Sequence, residues 1–288
     1  MGVAVCSDTT NYLPRDLVAR NGIHEVSLYV ALDGDQQREA DILEDTDRFY
    51  DALRATDSAA TTSQPAVGDF LAAWQPIFDA GDDIISVHIS SAISGTYGSA
   101  VAARDLLVSE GGDERRIEVV DSRRACGGLG LMLLAAAAAA RAGADLRAVS
   151  ERVAAARDAL QMWFAVDTLE YLRRGGRIGG AQAWVGSALK IKPILTLDGE
   201  ITPIERVRTS QRAFARMTKF ADELYEAGRD GWVVQHIQAP EEAARLVEYA
   251  RGVFGTEPVF VSEVGPVIGA HVGPGLLGVG AVPTELLR

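Results

Sequence analysis

Several short stretches of the chain gather hydroxyl, imidazole or guanidinium groups where the backbone must turn, and each carries a different chemistry. "HISSAISGT", residues 88–96, follows the apolar run "DDIISV" and sets Ser90, Ser91, Ser94 and Thr96 around Gly95. Three readings compete for it. As a nucleophile, Ser90, Ser91 or Ser94 needs a base from among His24, His88, His236 and His271, with Ser94 and His271 as one such pair, and a strained strand-to-helix elbow, whose signature G-x-S-x-G is absent. As a helix start, Ser94 or Thr96 caps free backbone N–H groups while Gly95 lets the chain turn. As a cradle, hydroxyls beside a helix N-terminus donate to an anion without burying a second charge.

Three further stretches bear on that choice. "TTSQPAVGDF", residues 61–70, sets Pro65 in a first helical turn with Thr62 or Ser63 as its cap. "VGPVIGAHVGPGLLGVG", residues 264–280, reads as a glycine-dense loop around His271, whose imidazole either donates to an anion or fills a polar gap. In residues 167–195, Arg173, Arg174 and Arg177 surround Gly175 and Gly176, with Lys190 and Lys192 further on. That stretch is either a helix end closed by glycine and basic side chains or a site for a phosphate or an acidic partner.

Composition narrows the classes. A formal charge of -12 argues against nucleic acid and anionic membrane as bulk partners. No G-x-x-x-x-G-K-[ST], complete dinucleotide fingerprint or H-E-x-x-H occurs, which disfavours phosphate-loop, dinucleotide and zinc hydrolase chemistry, and no metal is expected. Cys6 and Cys126 lack redox or metal spacing, and the N-terminus shows no charged leader before an apolar run, so a reduced cytoplasmic setting is expected. "LGLMLLAAAAAARAG" is too short to span a bilayer and reads as a buried helix stopped at Arg141 and Gly143.

The elements that must position these groups follow from periodicity. β-rich runs alternate with helical ones up to about residue 160, predicting a mostly parallel sheet with flanking helices and loops converging at the strand ends. From "MWFAVDTL" onward the pattern changes, and Asp198-Gly199 between two β-like runs reads as a hairpin. The expectation is a two-domain α/β protein: residues 1–160 around the parallel sheet, residues 161–288 around a mixed sheet, and a ligand in the cleft between them.

Seven blocks in one order, "SDTTNYLP", "TTSQPAVGDF", "VHISSAISGTYGSA", "VVDSRRACGGLGLM", "DTLEYLRRGGRIGG", "IKPILTLDGEITPIERVRT" and "GPVIGAHVGPGLLGVG", resemble the DegV family of fatty-acid-binding proteins. The resemblance runs the whole chain. It implies a non-catalytic carrier of one long-chain fatty acid, with its tail in a buried tunnel and no other cofactor. Carried onto this sequence, the carboxylate contacts fall on Thr62, with Thr61 its neighbour, and on Ser94, with Gly95 and His271 beside them. It further implies an ATP-dependent fatty acid kinase subunit as partner, with Arg173, Arg174 and Arg177 as its docking or phosphate-handling element. A serine-dependent acyl hydrolase and a lipid-responsive regulatory protein remain the alternatives.

Overall fold

The computed structural model describes residues 2–56, 58–184 and 191–288; Lys190 lies outside them. The first part of the chain contributes strands β1 (Val3–Asp8), β2 (His24–Val26), β3 (Tyr29–Leu32), β4 (Asp35–Arg38), β5 (Thr61–Ser63), β6 (Asp83–His88) and β7 (Ile117–Asp121). Its helices are α1 (Arg15–Asn21), α2 (Glu39–Ile42), α3 (Thr46–Ala55), α4 (Val67–Asp79) and α5 (Thr96–Ser109). Four strands form a parallel sheet in the order β2-β1-β6-β7. β6 is paired on both sides and buried along nearly its whole length, which is why "IISV" is an unbroken apolar run rather than an alternating one. The serine-rich stretch leaves the C-terminal end of β6, as expected of a ligand-binding edge.

A separate small sheet, in the order β4-β3-β5, stands apart from this one. Asp33 and Gly34, both at positive φ, close the β3–β4 hairpin in the mirror-image turn that suits strand twist. On the other side of β3, Val30 pairs with Thr62. Thr62 and Ser63 are therefore strand residues and not helix caps. Proline disfavours helical backbone at the residue before it, so Gln64 stays outside the helix, and α4 begins after Ala66, whose N–H donates to Asp69 Oδ2 at 2.9 Å.

Helices α6 (Cys126–Arg141) and α7 (Leu146–Ala159) lead into β8 (Gln161–Ala165), a short helix α8 (Glu170–Arg174), β9 (Lys192–Asp198) and β10 (Glu200–Val207). There follow α9 (Ser210–Glu226), β11 (Gly231–His236), α10 (Pro240–Phe254), β12 (Phe260–Glu263), α11 (Pro266–Val272) and β13 (Leu277–Val282). The second sheet is mixed, in the order β10-β9-β8-β13-β11-β12, with only β11 and β12 parallel. Gly199, at φ +78°, turns the β9–β10 hairpin as the Asp-Gly pair predicts.

Two features of residues 264–280 correct the expected loop. Pro266 opens α11, occupying the first turn where its missing N–H costs nothing, and His271 sits in the helix's last turn. Leu277, Val279 and Ala281 then pack against α9 from one face of β13, leaving Gly278 and Gly280 on the other. Helix α6 is apolar all round and buried from Gly127 to Ala139 because it lies between the sheets. Its core joins Val5 and Ile85 of the first sheet to Val233 and Val282 of the second.

Candidate functional site

The cavity that gathers the expected groups opens to solvent, and the space between its walls and across its mouth comes to about 1060 Å³. Thr62 from β5, Ser94 and Gly95 before α5, His271 from α11 and Arg177 after α8 all line it. Thr61, by contrast, is exposed. Elsewhere the wall is predominantly apolar, with Phe164 and Met162 from β8, Gly278 from β13, and Cys126 and Gly128 from the first turn of α6. β8 supplies two of these because its side chains alternate: Met162 and Phe164 face the cavity, while Trp163 stacks on Phe220 of α9 at 4.0 Å.

Hydrogen bonding fixes the polar end. Thr62 Oγ1 lies 2.7 Å from His271 Nε2. Nδ1 of that ring is buried with no hydrogen-bond partner among the described residues, and the reason it fits is Gly175, where a Cβ would overlap Nδ1. Burial, then the neighbouring Arg177 guanidinium, holds the imidazole down at about 4 from its ordinary 6.5, so the ring is neutral at pH 7. In the tautomer with the proton on Nε2, His271 donates to Thr62 Oγ1, and the threonine hydroxyl is free to donate into the cavity.

Ser94 Oγ meets Thr96 Oγ1 at 2.8 Å and accepts from Thr96 N–H at 3.3 Å, so the serine steadies the start of α5 while lining the cavity. Gly95 is not held in a backbone conformation that calls for glycine, and a side chain there would have to displace only the end of exposed Gln64. Its φ is −76°, and a Cβ there would come within 3.0 Å of the Gln64 side chain. His271 is committed to Thr62, and Ser94 to Thr96, so a Ser94–His271 nucleophile and base are not assembled.

A serine–histidine–carboxylate series does occur elsewhere: Ser86 Oγ lies 2.7 Å from His88 Nε2, and His88 Nδ1 lies 3.0 Å from Asp8 Oδ2. All three residues have no exposed surface, and none lines the cavity. Asp8 also accepts from Thr10 N–H and Ile89 N–H, tying the end of β1 to the segment that leads to Ser94. Here the series is a brace, and the "SDTTN" block is structural.

The three arginines do not act together. Arg177 reaches the cavity and donates to Gly175 O at 2.6 Å and Ile93 O at 3.3 Å. Arg173 and Arg174 lie on the exposed face of α8, paired with Glu170 Oε1 at 2.6 and 2.7 Å, and these contacts pull that carboxyl down to about 2. Among the described residues no group of three His, Cys, Asp or Glu side chains could hold a metal ion, and no helix is long and apolar enough to cross a membrane.

A family model described as an uncharacterised protein of the DegV family matches residues 2–284. The chain belongs to the DegV family. A DegV domain-containing protein from Streptomyces coelicolor is 42% identical over 284 residues, 96% of this chain and 97% of that one. A Thermus thermophilus DegV family protein, described by its fatty acid binding, superposes with a TM-score of 0.86 at 34% identity, covering 98% of this chain and 99% of that one. DegV from Bacillus subtilis, described as a fatty acid binding protein, gives 0.87 at 33% identity over the same shares. The parallel N-terminal and mixed C-terminal sheets are thus the DegV fold.

The low pKa of His271 has a consequence for stability. The folded DegV chain resists a proton that the unfolded chain accepts below about pH 6.5, so the contribution of His271 is full above that pH and is lost as pH falls towards about 4. Urea unfolding at about pH 7.5 and about pH 4.5 should show the fall, and His271→Gln should remove that share of it.

Proposed function

We propose that this DegV protein holds one long-chain fatty acid without covalent attachment. The carboxylate rests among Thr62, Ser94, Gly95 and His271, with Arg177 at its margin, and the chain extends along Phe164, Met162 and Gly278 towards α6. The observation that carries this reading is one cavity with hydroxyl donors at one end and a predominantly apolar wall beyond. Two relatives of the same fold, each over 30% identical, described as binding fatty acids, support the ligand class.

The physical chemistry agrees. Each buried methylene contributes about 0.8 kcal/mol, so a chain of about fourteen gains roughly 11 kcal/mol before ordering costs. Neutral donors satisfy a carboxylate while leaving an oxygen open to attack on phosphorus, where a bidentate arginine would compete with the incoming phosphoryl group. That openness suits presentation to an ATP-dependent fatty acid kinase subunit, with the exposed face of Arg173 and Arg174 as the docking side. In this reading the protein is a cytoplasmic carrier with no catalysis of its own, and Leu160 and Gln161 divide its two domains.

Organic extraction of the purified protein, followed by mass spectrometry, should yield about one fatty acid per chain. No lipid on extraction and no uptake by the stripped protein would sink the proposal. Loaded protein mixed with ATP and a fatty acid kinase subunit should give acyl-phosphate, trapped by hydroxylamine as the hydroxamate. Binding without hydroxamate would confine the role to carriage or lipid sensing.

A further inference from the structure

Glu39 has no exposed surface, yet it bears a carboxyl group and lines no part of the cavity. It opens α2 directly after β4, so it is rooted in the small sheet that also carries Thr62. Three donors converge on it: Thr9 Oγ1 at 2.5 Å, Tyr12 Oη at 2.7 Å and the Val267 backbone N–H at 2.8 Å. Tyr12 Oη in turn accepts from Ile268 N–H at 3.2 Å. The first turn of α11 is therefore held to the small sheet through Glu39, while its last turn is held to the same sheet through His271 and Thr62.

The approach is too close for any side chain at Gly265, where a Cβ would meet Tyr12 and lie 3.0 Å from Glu39 Oε1. Nearby, Tyr50 Oη donates to Val264 O at 2.6 Å, fixing the segment that leads into α11. Sheet, Glu39, helix, His271 and Thr62 make a closed ring, and the cavity's polar end is one of its joints.

We propose that Glu39 is a positioning residue that holds the His271-bearing helix against the Thr62-bearing sheet and thereby sets affinity for the ligand's carboxylate. This rests on the fatty-acid reading above. All three groups facing Glu39 are donors, so the ionised carboxylate is the form they serve best. Burial opposes ionisation and, with a smaller contribution from Asp8, pushes the carboxyl up to about 7. The other titratable groups around it are Tyr12 and Tyr50, both pushed well up by burial, and Cys126, whose thiol is likewise raised. None of those three titrates near neutrality. His271 changes charge near pH 4, well below the same range.

Affinity for oleate, measured by displacement of a fluorescent fatty acid, should fall about 3- to 10-fold as pH drops from about 8 to about 6. Glu39→Gln keeps an oxygen for Val267 and Tyr12 but cannot ionise. It should bind at the low-pH level of the wild type throughout that range, with its melting temperature recorded alongside. Glu39→Ala should bind more weakly still and shift the His271 ring resonances in the ligand-free protein. A flat wild-type profile, a Glu39→Gln profile that keeps the wild-type slope, or unshifted His271 resonances in Glu39→Ala would each overturn the proposal. If Glu39→Ala does not fold, the two pH profiles decide. A wild type that binds no oleate at any pH would instead overturn the fatty-acid reading, and the His271 resonances would still test the strut.

Discussion

Gly278→Leu is expected to weaken binding of a sixteen- or eighteen-carbon acid by about 50-fold while leaving a ten-carbon acid nearly unaffected. Gly278 pairs with Phe164 across β13 and β8, on the sheet face that floors the cavity. A Cβ there would stand 3.4 Å from Phe164 Cβ and 3.4 Å from Trp163 O, both ordinary contacts, so the backbone accepts a side chain. Leucine would then occupy the space of about three methylenes, each contributing about 0.8 kcal/mol, which gives the stated ratio. Competition of palmitate and decanoate against a fluorescent acid reads it, with Gly278→Ala as an intermediate step. Equal losses for both acids would mean that the tail does not pass Gly278.

The amino-acid sequence does not carry the strand register on which that effect depends. Hydroxyls and charges at strand ends and beside glycines make Ser94, Thr62, His271 and Arg177 candidates in the sequence, but local spacing leaves capping, gap-filling or a solvated loop open, and their ligand roles follow from the family resemblance alone. The cavity is built differently. Its floor uses the alternate residues of β8 and the bare face of β13, and it has meaning only once the register sets Phe164 beside Gly278. Glycine disfavours helix locally, so the sequence of α11 reads as loop; the packing of Gly269 against Tyr50 and the hold of Glu39 on Val267 override that preference. Arg173, Arg174 and Arg177 looked like one cluster because spacing alone does not tell which face each takes. The Glu170 pairings that separate them appear only when α8 is folded and ends at Gly175.

The hydroxyl pair carries the second large effect. Thr62→Ala and Ser94→Ala should each lower fatty-acid affinity by roughly 10- to 100-fold, since a hydrogen bond to a charged group contributes about 1.5–3 kcal/mol. In the proposed site the double variant should fall short of the product, because both hydroxyls would hold one carboxylate and removing either already loosens the grip of the other. Thr62→Ala should be the costlier change. It would remove a donor from the proposed ligand and also leaves His271 Nε2 without its partner, on a ring whose buried Nδ1 has none among the described residues. Ser94→Ala leaves that imidazole untouched, since Ser94 bonds to Thr96 instead. Thr62→Ser restores the hydroxyl without the methyl group and should recover most of the affinity in calorimetric titrations with palmitate. A Thr62→Ser protein as weak as Thr62→Ala would assign the threonine's role to packing of its methyl group, and the chain of donors from His271 through Thr62 to the ligand would have to be abandoned.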